Sequence, residues 1–299
     1  MNTIIKFFSI FIFLCGAFST DVTAQRTDSI FSKADKYFSV QQYLKASIEY
    51  ERLIYRNPDN PELVNSAHYK KSLCYRHTKR YQDALNELNR ISLYNTTDTL
   101  KALIMYERAF NLLMQEKPKE ALLNIKQIHL NSLPEKTSKN ILPLKIMILN
   151  KDRKWEKAEN TLTEWINALD ISRKEKEKWI DTAKTLYAEK KLPKNYKEEK
   201  AKNLSRFIPG AGQIYTSHTW EGIASFFFNA AALGAGIHQV WYGYYFTGYI
   251  AGFGIFYKSY FGGMERAANL ANTERNNEMA IFNSHCAMII SKILADSEQ

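Results

Sequence analysis

Glycine is missing from Gln25 to Pro209. The chain has 12 glycines in 299 residues, yet 11 of them lie between Gly210 and Gly263 and the remaining one is Gly16. So long a stretch without glycine suits tight turns, β-hairpins and phosphate-cradling loops poorly. It predicts helices joined by short polar turns. Cysteine is scarce too. Cys15, Cys74 and Cys286 fall in separate regions, which excludes a disulfide framework, although export permits a single bridge; Cys74 and Cys286 are expected to be buried as small apolar residues. The six histidines form no His-x-x-x-His pair, and there is no Cys-x-x-Cys, so no metal site is expected. A Gly-x-Ser-x-Gly elbow is also lacking. No catalytic residue, cofactor site or small-molecule substrate is expected, and the chain reads as non-enzymatic.

Acidic residues are in deficit, with a formal net charge of +10. Gln25–Leu192 holds 31 Lys/Arg against 22 Asp/Glu, while residues 193–299 hold 9 against 8. The basic charges are interspersed with acidic ones, as in Lys151-Asp152-Arg153-Lys154. That pattern predicts solvated helix faces rather than a nucleic-acid surface. Charge is altogether absent over the 36 residues Gly222–Tyr257.

Met1–Ala24 reads as a secretory signal. Lys6 supplies the positive start, Phe7–Phe18 the apolar run, and Val22-Thr23-Ala24 the small residues before a cut at Gln25. An uncleaved anchor helix is the other reading. Both export the segment that follows.

Four alanines, Ala46, Ala84, Ala121 and Ala158, recur at intervals of 38, 37 and 37 residues. Four residues after each comes Tyr50, Leu88, Ile125 or Leu162, and seven after comes Leu53, Ile91, Ile128 or Trp165. That spacing places all three on one helix face. Twelve residues before each alanine stand Ala34, Ser72, Ala109 and Ile146; nine before stand Tyr37, Tyr75, Leu112 and Leu149. The pattern predicts a helical hairpin repeated four times, over Thr27–Asn60, Asn65–Asp98, Ala102–Pro134 and Lys139–Ser172. Small residues allow close helix crossing, and stacking buries faces that one hairpin leaves bare. Lys174–Lys191, with Trp179, Ala183, Leu186 and Tyr187 on one side, is expected to be a capping helix. The pattern resembles the tetratricopeptide repeat, whose unit is roughly 34 residues; a generic α-solenoid is the alternative. The resemblance implies a groove that binds another protein.

Composition changes at Pro193. A charged linker helix is expected over 193–208, then a glycine-rich transmembrane hairpin over 209–263 with helices at about 220–237 and 246–261, then an amphipathic helix over 264–299. The charge-free stretch is long enough for two short crossings, each needing ~17–20 residues. Trp220, Trp241, Tyr242, Tyr244, Tyr245, Tyr257 and Tyr260 stand at its ends like interface belts. Gly248 and Gly252, spaced i, i+4, suit close helix packing in lipid. Glu221 is expected to pair with His218 or Arg206, and His238 to sit at headgroup level. A water-soluble glycine-rich hairpin is the alternative. The string Pro209-Gly210-Ala211-Gly212-Gln213-Ile214-Tyr215 resembles the Pro-Gly-x-Gly-Gln-x-Tyr opening of two-transmembrane-helix modules found in exported repeat proteins. That family has glycine where this chain has Ser217. The resemblance implies an elbow, formed by Pro209, Gly210, Gly212, Gln213 and Tyr215, between a surface helix and a membrane helix.

The expected architecture is therefore all-α: a tetratricopeptide-like solenoid of Gln25–Leu192, then the membrane hairpin and the C-terminal helix. The expected role is a scaffold in the inner membrane. Its repeats would lie in the periplasm, and its partners would be envelope proteins and the lipid bilayer. The alternative is an accessory subunit of a transport, secretion or protein-insertion complex, associating through the glycine-rich hairpin.

Overall fold

The computed structural model describes residues 28–94, 96–130 and 133–297. The expected signal, Met1–Ala24, lies outside the described residues. Among those described, all regular structure is helical. The helices are α1 (Asp28–Ser39), α2 (Tyr43–Arg56), α3 (Pro61–His77), α4 (Tyr81–Asn89), α5 (Asp98–Met114), α6 (Pro118–Lys126), α7 (Glu135–Lys151), α8 (Trp155–Ala168) and α9 (Arg173–Tyr187). After a 3-10 turn at Glu189–Lys191 come α10 (Glu198–Phe207), α11 (Ala211–Tyr215), α12 (Thr219–Trp241), α13 (Tyr245–Thr247), a π-helical stretch (Gly248–Phe253) and α14 (Gly254–Ser297). They group into two compact units. The first comprises the described residues up to Ala188 together with those from Cys286; the second is Glu189–His285.

In the first unit each helix packs on the next in sequence, from α1 through α9. Starts are set by local chemistry. The Asn60 side chain accepts from the Leu63 N–H ahead of Pro61 at the first position of α3, and Thr97 does the same for Leu100 in α5. Ser172 and Glu175 form a reciprocal capping box on α9. The small residues lie where the helices cross: Ala34, Ala46, Ala84, Ala109, Ala121 and Ala158 are wholly buried, as is Tyr50, and Ser72 is nearly so. Tyr37 and Tyr75 are half-buried. Ala34, Ala46, Tyr50 and Cys74 form one apolar cluster, flanked by Phe31, Tyr37, Phe38 and Tyr43.

The turns inside the four helix pairs correct one expectation. The glycine-free stretch does contain tight left-handed turns, made without glycine. Gln41, Lys79, Glu116 and Arg153 have φ of +61°, +61°, +62° and +56°. The next N–H donates back five residues in every case: Gln42 to Tyr37 (2.9 Å), Arg80 to Tyr75 (2.8 Å), Lys117 to Leu112 (3.0 Å) and Lys154 to Leu149 (2.9 Å). This is the Schellman closure of a helix C-terminus. A left-handed non-glycine residue costs roughly 1–2 kcal/mol. Here the cost is offset because each turn delivers the buried alanine five residues later to the helix crossing.

Three boundaries also differ. The linker helix spans only Glu198–Phe207, because Pro193 and Tyr196 are buried in an extended approach to it. The first apolar helix runs on to Trp241, and the turn is confined to Tyr242–Tyr244, where Gly243 takes φ +82°. The second apolar helix and the C-terminal helix are continuous through Gly262-Gly263 in α14. Two glycines cost a helix only about 2 kcal/mol. Met264, Ala267, Leu270 and Ala271, all buried just beyond, hold the helical path.

The segment from Cys286 belongs to the first unit, so α9 does not end it alone. Ala287, Ile290 and Ile293 are buried. Trp179 Nε1 donates to Asp296 (3.1 Å), the Tyr187 hydroxyl to Asn150 Oδ1 (2.8 Å), and Asn150 Nδ2 to Cys286 Sγ (3.3 Å). Cys74 and Cys286 are both free and buried. Burial pushes the Cys74 thiol up to about 12 and the Cys286 thiol up to about 11. Both are inert apolar groups at neutral pH.

Candidate functional site

The elbow Pro209–Tyr215 is assembled by close backbone approach. Ile208, restricted by the following proline, is extended and ends α10. Gly210 takes φ +92°, and a Cβ there would lie 1.9 Å from the Gly222 carbonyl oxygen. A Cβ on Gly212 would meet the Ala201 carbonyl oxygen at 2.1 Å and Ala267 Cβ at 2.7 Å. No larger residue fits either position.

Gln213 is 1% exposed, and both ends of its amide are hydrogen-bonded. Its Oε1 accepts from Ser205 Oγ (3.1 Å), and its Nε2 donates to the Gly263 carbonyl (3.1 Å). Ser205 Oγ in turn accepts the Gly212 N–H (3.0 Å). One glutamine thus ties α10, α11 and α14 together. Tyr215 packs edge-on against Tyr196 (5.5 Å between centroids), accepts the Lys197 N–H at its hydroxyl (3.3 Å) and lies under Lys200 Nζ (4.9 Å).

Ser217 takes φ +69°, and the His218 N–H donates to the Gln213 carbonyl at 2.8 Å. This is the turn of the four helix pairs once more. Gly243 repeats it, with the Tyr244 N–H on the Gln239 carbonyl at 2.9 Å. Five residues after these two turns come Gly222 and Gly248, both buried, in the register that Ala46, Ala84, Ala121 and Ala158 hold in the first unit.

Beyond the elbow, α12 packs against the π-helical stretch. A Cβ on Gly252 would lie 2.0 Å from Gly236 Cα, and one on Gly248 would lie 3.0 Å from the Gly236 oxygen. Gly248 and Gly252 therefore face Gly236, which stands one turn after Ala232 in the same i, i+4 spacing of small residues. Gly234, one turn from Ala230, meets nothing within 4 Å.

The outer surface of this helix pair is apolar. The 23-residue helix α12 is long and apolar enough to cross a membrane, with a mean hydropathy of 1.3 and only 11% of that apolar window buried. Trp220 and Trp241 are 84% and 85% exposed. Set 21 positions apart, they are separated by about 32 Å along a helix. Phe226, Phe227, Phe228, Ile237, Tyr249 and Ile250 are exposed between them and along the facing strand of chain.

Charge gathers at the base. Arg266 donates to Glu221 through Nε (2.7 Å) and Nη2 (3.2 Å), and Lys202 pairs with Glu265. The partner of Glu221 is thus Arg266, not His218 or Arg206. His218 Nδ1 is bonded instead to the Thr216 carbonyl (3.0 Å). His238 is exposed in the last turn of α12, its ring 4.7 Å from that of Tyr242. Asn229 is buried, donates to the Ser225 carbonyl (2.7 Å) and leaves Oδ1 without a partner.

The first unit carries a buried polar seam. Glu87 bonds His68 Nδ1 (2.8 Å) and Lys71 Nζ (2.8 Å), and Lys71 also reaches Glu51 (2.5 Å). Arg76 grips Glu107 through two bonds of 2.6 and 2.9 Å. Among the described residues no group of three or more His, Cys, Asp or Glu is placed to hold a metal ion. No protein-family model, curated protein or solved structure matches the chain.

Proposed function

We propose that this chain is a membrane-anchored, non-enzymatic scaffold. In this reading α1–α9 form a tetratricopeptide-like α-solenoid of four hairpins that binds another protein of the cell envelope. The helix pair α12–α14 is a membrane hairpin entered through the Pro209–Tyr215 elbow, as the resemblance to two-transmembrane-helix modules implies. The signal-like start assigns the repeats to the periplasmic side of the inner membrane. The observation that carries the anchoring is the bare apolar surface of α12, bounded by exposed tryptophans about one hydrocarbon thickness apart. The repeat reading is supported by four identical left-handed turns in register with four buried alanines.

The alternative, an accessory subunit recruited through Gly248 and Gly252, is less favoured. Both glycines are already taken up by Gly236 of the same chain. Protease accessibility of tags inserted at 195, 243 and 299 in spheroplasts tests the topology. Tags at 195 and 299 should be cleaved from outside and the tag at 243 protected; cleavage at 243 alone would reverse the orientation. Crosslinking on intact cells should capture a protein partner in a manner dependent on residues 28–188.

A further inference from the structure

At the base of the helix pair, α10 presents one face that nothing among the described residues covers. Lys197, Glu199, Lys200, Asn203, Leu204 and Phe207 line a shallow groove of about 430 Å³. Lys197, Lys200, Leu204 and Phe207 follow one another at three- and four-residue steps, which puts them on one side of the helix. One end of the groove holds Lys197 and Lys200 beside the single carboxylate of Glu199, leaving it net positive, and the other end is apolar. Lys202 is paired with Glu265 and Glu198 with Arg275. That leaves Lys197, Lys200 and Arg206 as exposed cations with no carboxylate partner among the described residues. Phe207 is 83% exposed and Ile208 55% exposed.

The apolar end is fixed beside the first turn of α12. The Tyr260 hydroxyl donates to the Arg206 carbonyl (2.5 Å), and the Gly210 backbone abuts that of Gly222. Lys200 is held in place over the Tyr215 ring. Polar and apolar ends thus occur in the sequence a phospholipid has, next to the helix that meets the acyl region.

We propose that this face of α10 binds an anionic phospholipid of the host bilayer, with its phosphate on Lys197 and Lys200 and the start of an acyl chain along Leu204 and Phe207. The occupant is chosen by charge and by continuity with the apolar surface of α12. Two unpaired lysines favour a net-negative headgroup over a zwitterionic one, each worth about 1 kcal/mol near an anionic surface. The proposal rests on the membrane reading of the hairpin and adds the class of lipid.

The test is native mass spectrometry of the full-length protein in mild detergent, titrated with phosphatidylglycerol, phosphatidylcholine and inorganic phosphate in parallel. Lipid adducts should form with phosphatidylglycerol at far lower concentration than with phosphatidylcholine. The double variant Lys197→Gln/Lys200→Gln should weaken phosphatidylglycerol binding by about 30-fold, and Phe207→Ser should also weaken it. Lys190→Gln/Lys191→Gln, which changes two exposed lysines outside the groove, should leave binding unchanged. Equal binding of both lipids, equal loss in both double variants, or saturation by inorganic phosphate alone would overturn the proposal. Flotation of the same variants on neutral phosphatidylcholine vesicles separates the two readings. Failure of the wild type to float defeats the membrane reading, whereas flotation without lipid selectivity defeats only the groove.

Discussion

Gln41, Lys79, Glu116 and Arg153 include a neutral, an acidic and two basic side chains, yet each is held at nearly the same left-handed conformation. Position in the turn, not side-chain type, is what unites them, so no motif search on residue identity finds them. They become visible only when counted back five residues from the buried alanines, which the sequence did make legible. Because glycine adopts this conformation without the clash of a Cβ, Lys79→Gly and Gln41→Gly should each raise stability. The gain should be about 1 kcal/mol, less the entropy glycine adds to the unfolded chain. Lys79→Val should lower it, since a β-branched residue fits φ > 0 worst. Chemical denaturation of the full chain reads both signs. Ser217 is the same case in the second unit. Its departure from the glycine of the resembling family reports a tolerated left-handed serine, whose hydroxyl lies 3.1 Å from that of Tyr196.

At the scale of elements, packing between helices governs both pH response and tolerance to substitution. His77, at the end of α3, is stacked on Tyr43 (4.5 Å, 6° between planes) with Phe38 edge-on. Burial, then the neighbouring Arg76 charge, push its pKa down to about 4. The unfolded chain takes up this proton near the ordinary value of 6.5. Between these two values the unfolded state binds more protons, so stability rises with pH in that window. The contribution is therefore fully present above about pH 6.5, and it is lost as pH falls toward 4. His77→Phe keeps the stack and should flatten that limb of the curve of unfolding midpoint against pH.

The helix pair of the second unit makes a second prediction at this scale. Gly252→Leu must separate two backbones in contact and should collapse the pairing of α12 with the π-helical stretch. Gly234→Leu, which meets open space, should leave the pairing intact. Cysteine crosslinking between substituted positions 233 and 256 in each background distinguishes them. Sequence spacing identified Gly248 and Gly252 as contact residues. It could not say that Gly236 receives them, because Gly234 and Gly236 look alike on paper and only the rotation of α12 separates them.

The whole molecule was legible in its period and composition and opaque in its long-range closures. Alanine spacing announced the helix pairs of the first unit, and the loss of charge after Glu221 announced the apolar pair of the second. Three closures depend on residues far apart in the chain: Gln213 with Gly263, Glu221 with Arg266, and Cys286 with Asn150. Such contacts leave no local pattern, so the sequence alone offers Glu221 only the cations near it, His218 and Arg206. The run of α14 through Gly262-Gly263 was hidden for a related reason. Local propensity argues for a break there, and tertiary burial of Met264, Ala267 and Ala271 decides otherwise.

In the proposed reading the surface of α12 lies in a bilayer, with Trp220 and Trp241 near its two faces. Two full-length variants, each keeping only one of these tryptophans and Phe elsewhere, can be reconstituted in vesicles whose lipids are brominated at defined acyl depths. Both tryptophans should be quenched most by bromines nearest the headgroups, and Leu233→Trp in a background otherwise free of tryptophan should be quenched most by bromines near the bilayer centre. Equal, weak quenching at all three positions, with full access to aqueous acrylamide, would contradict that reading.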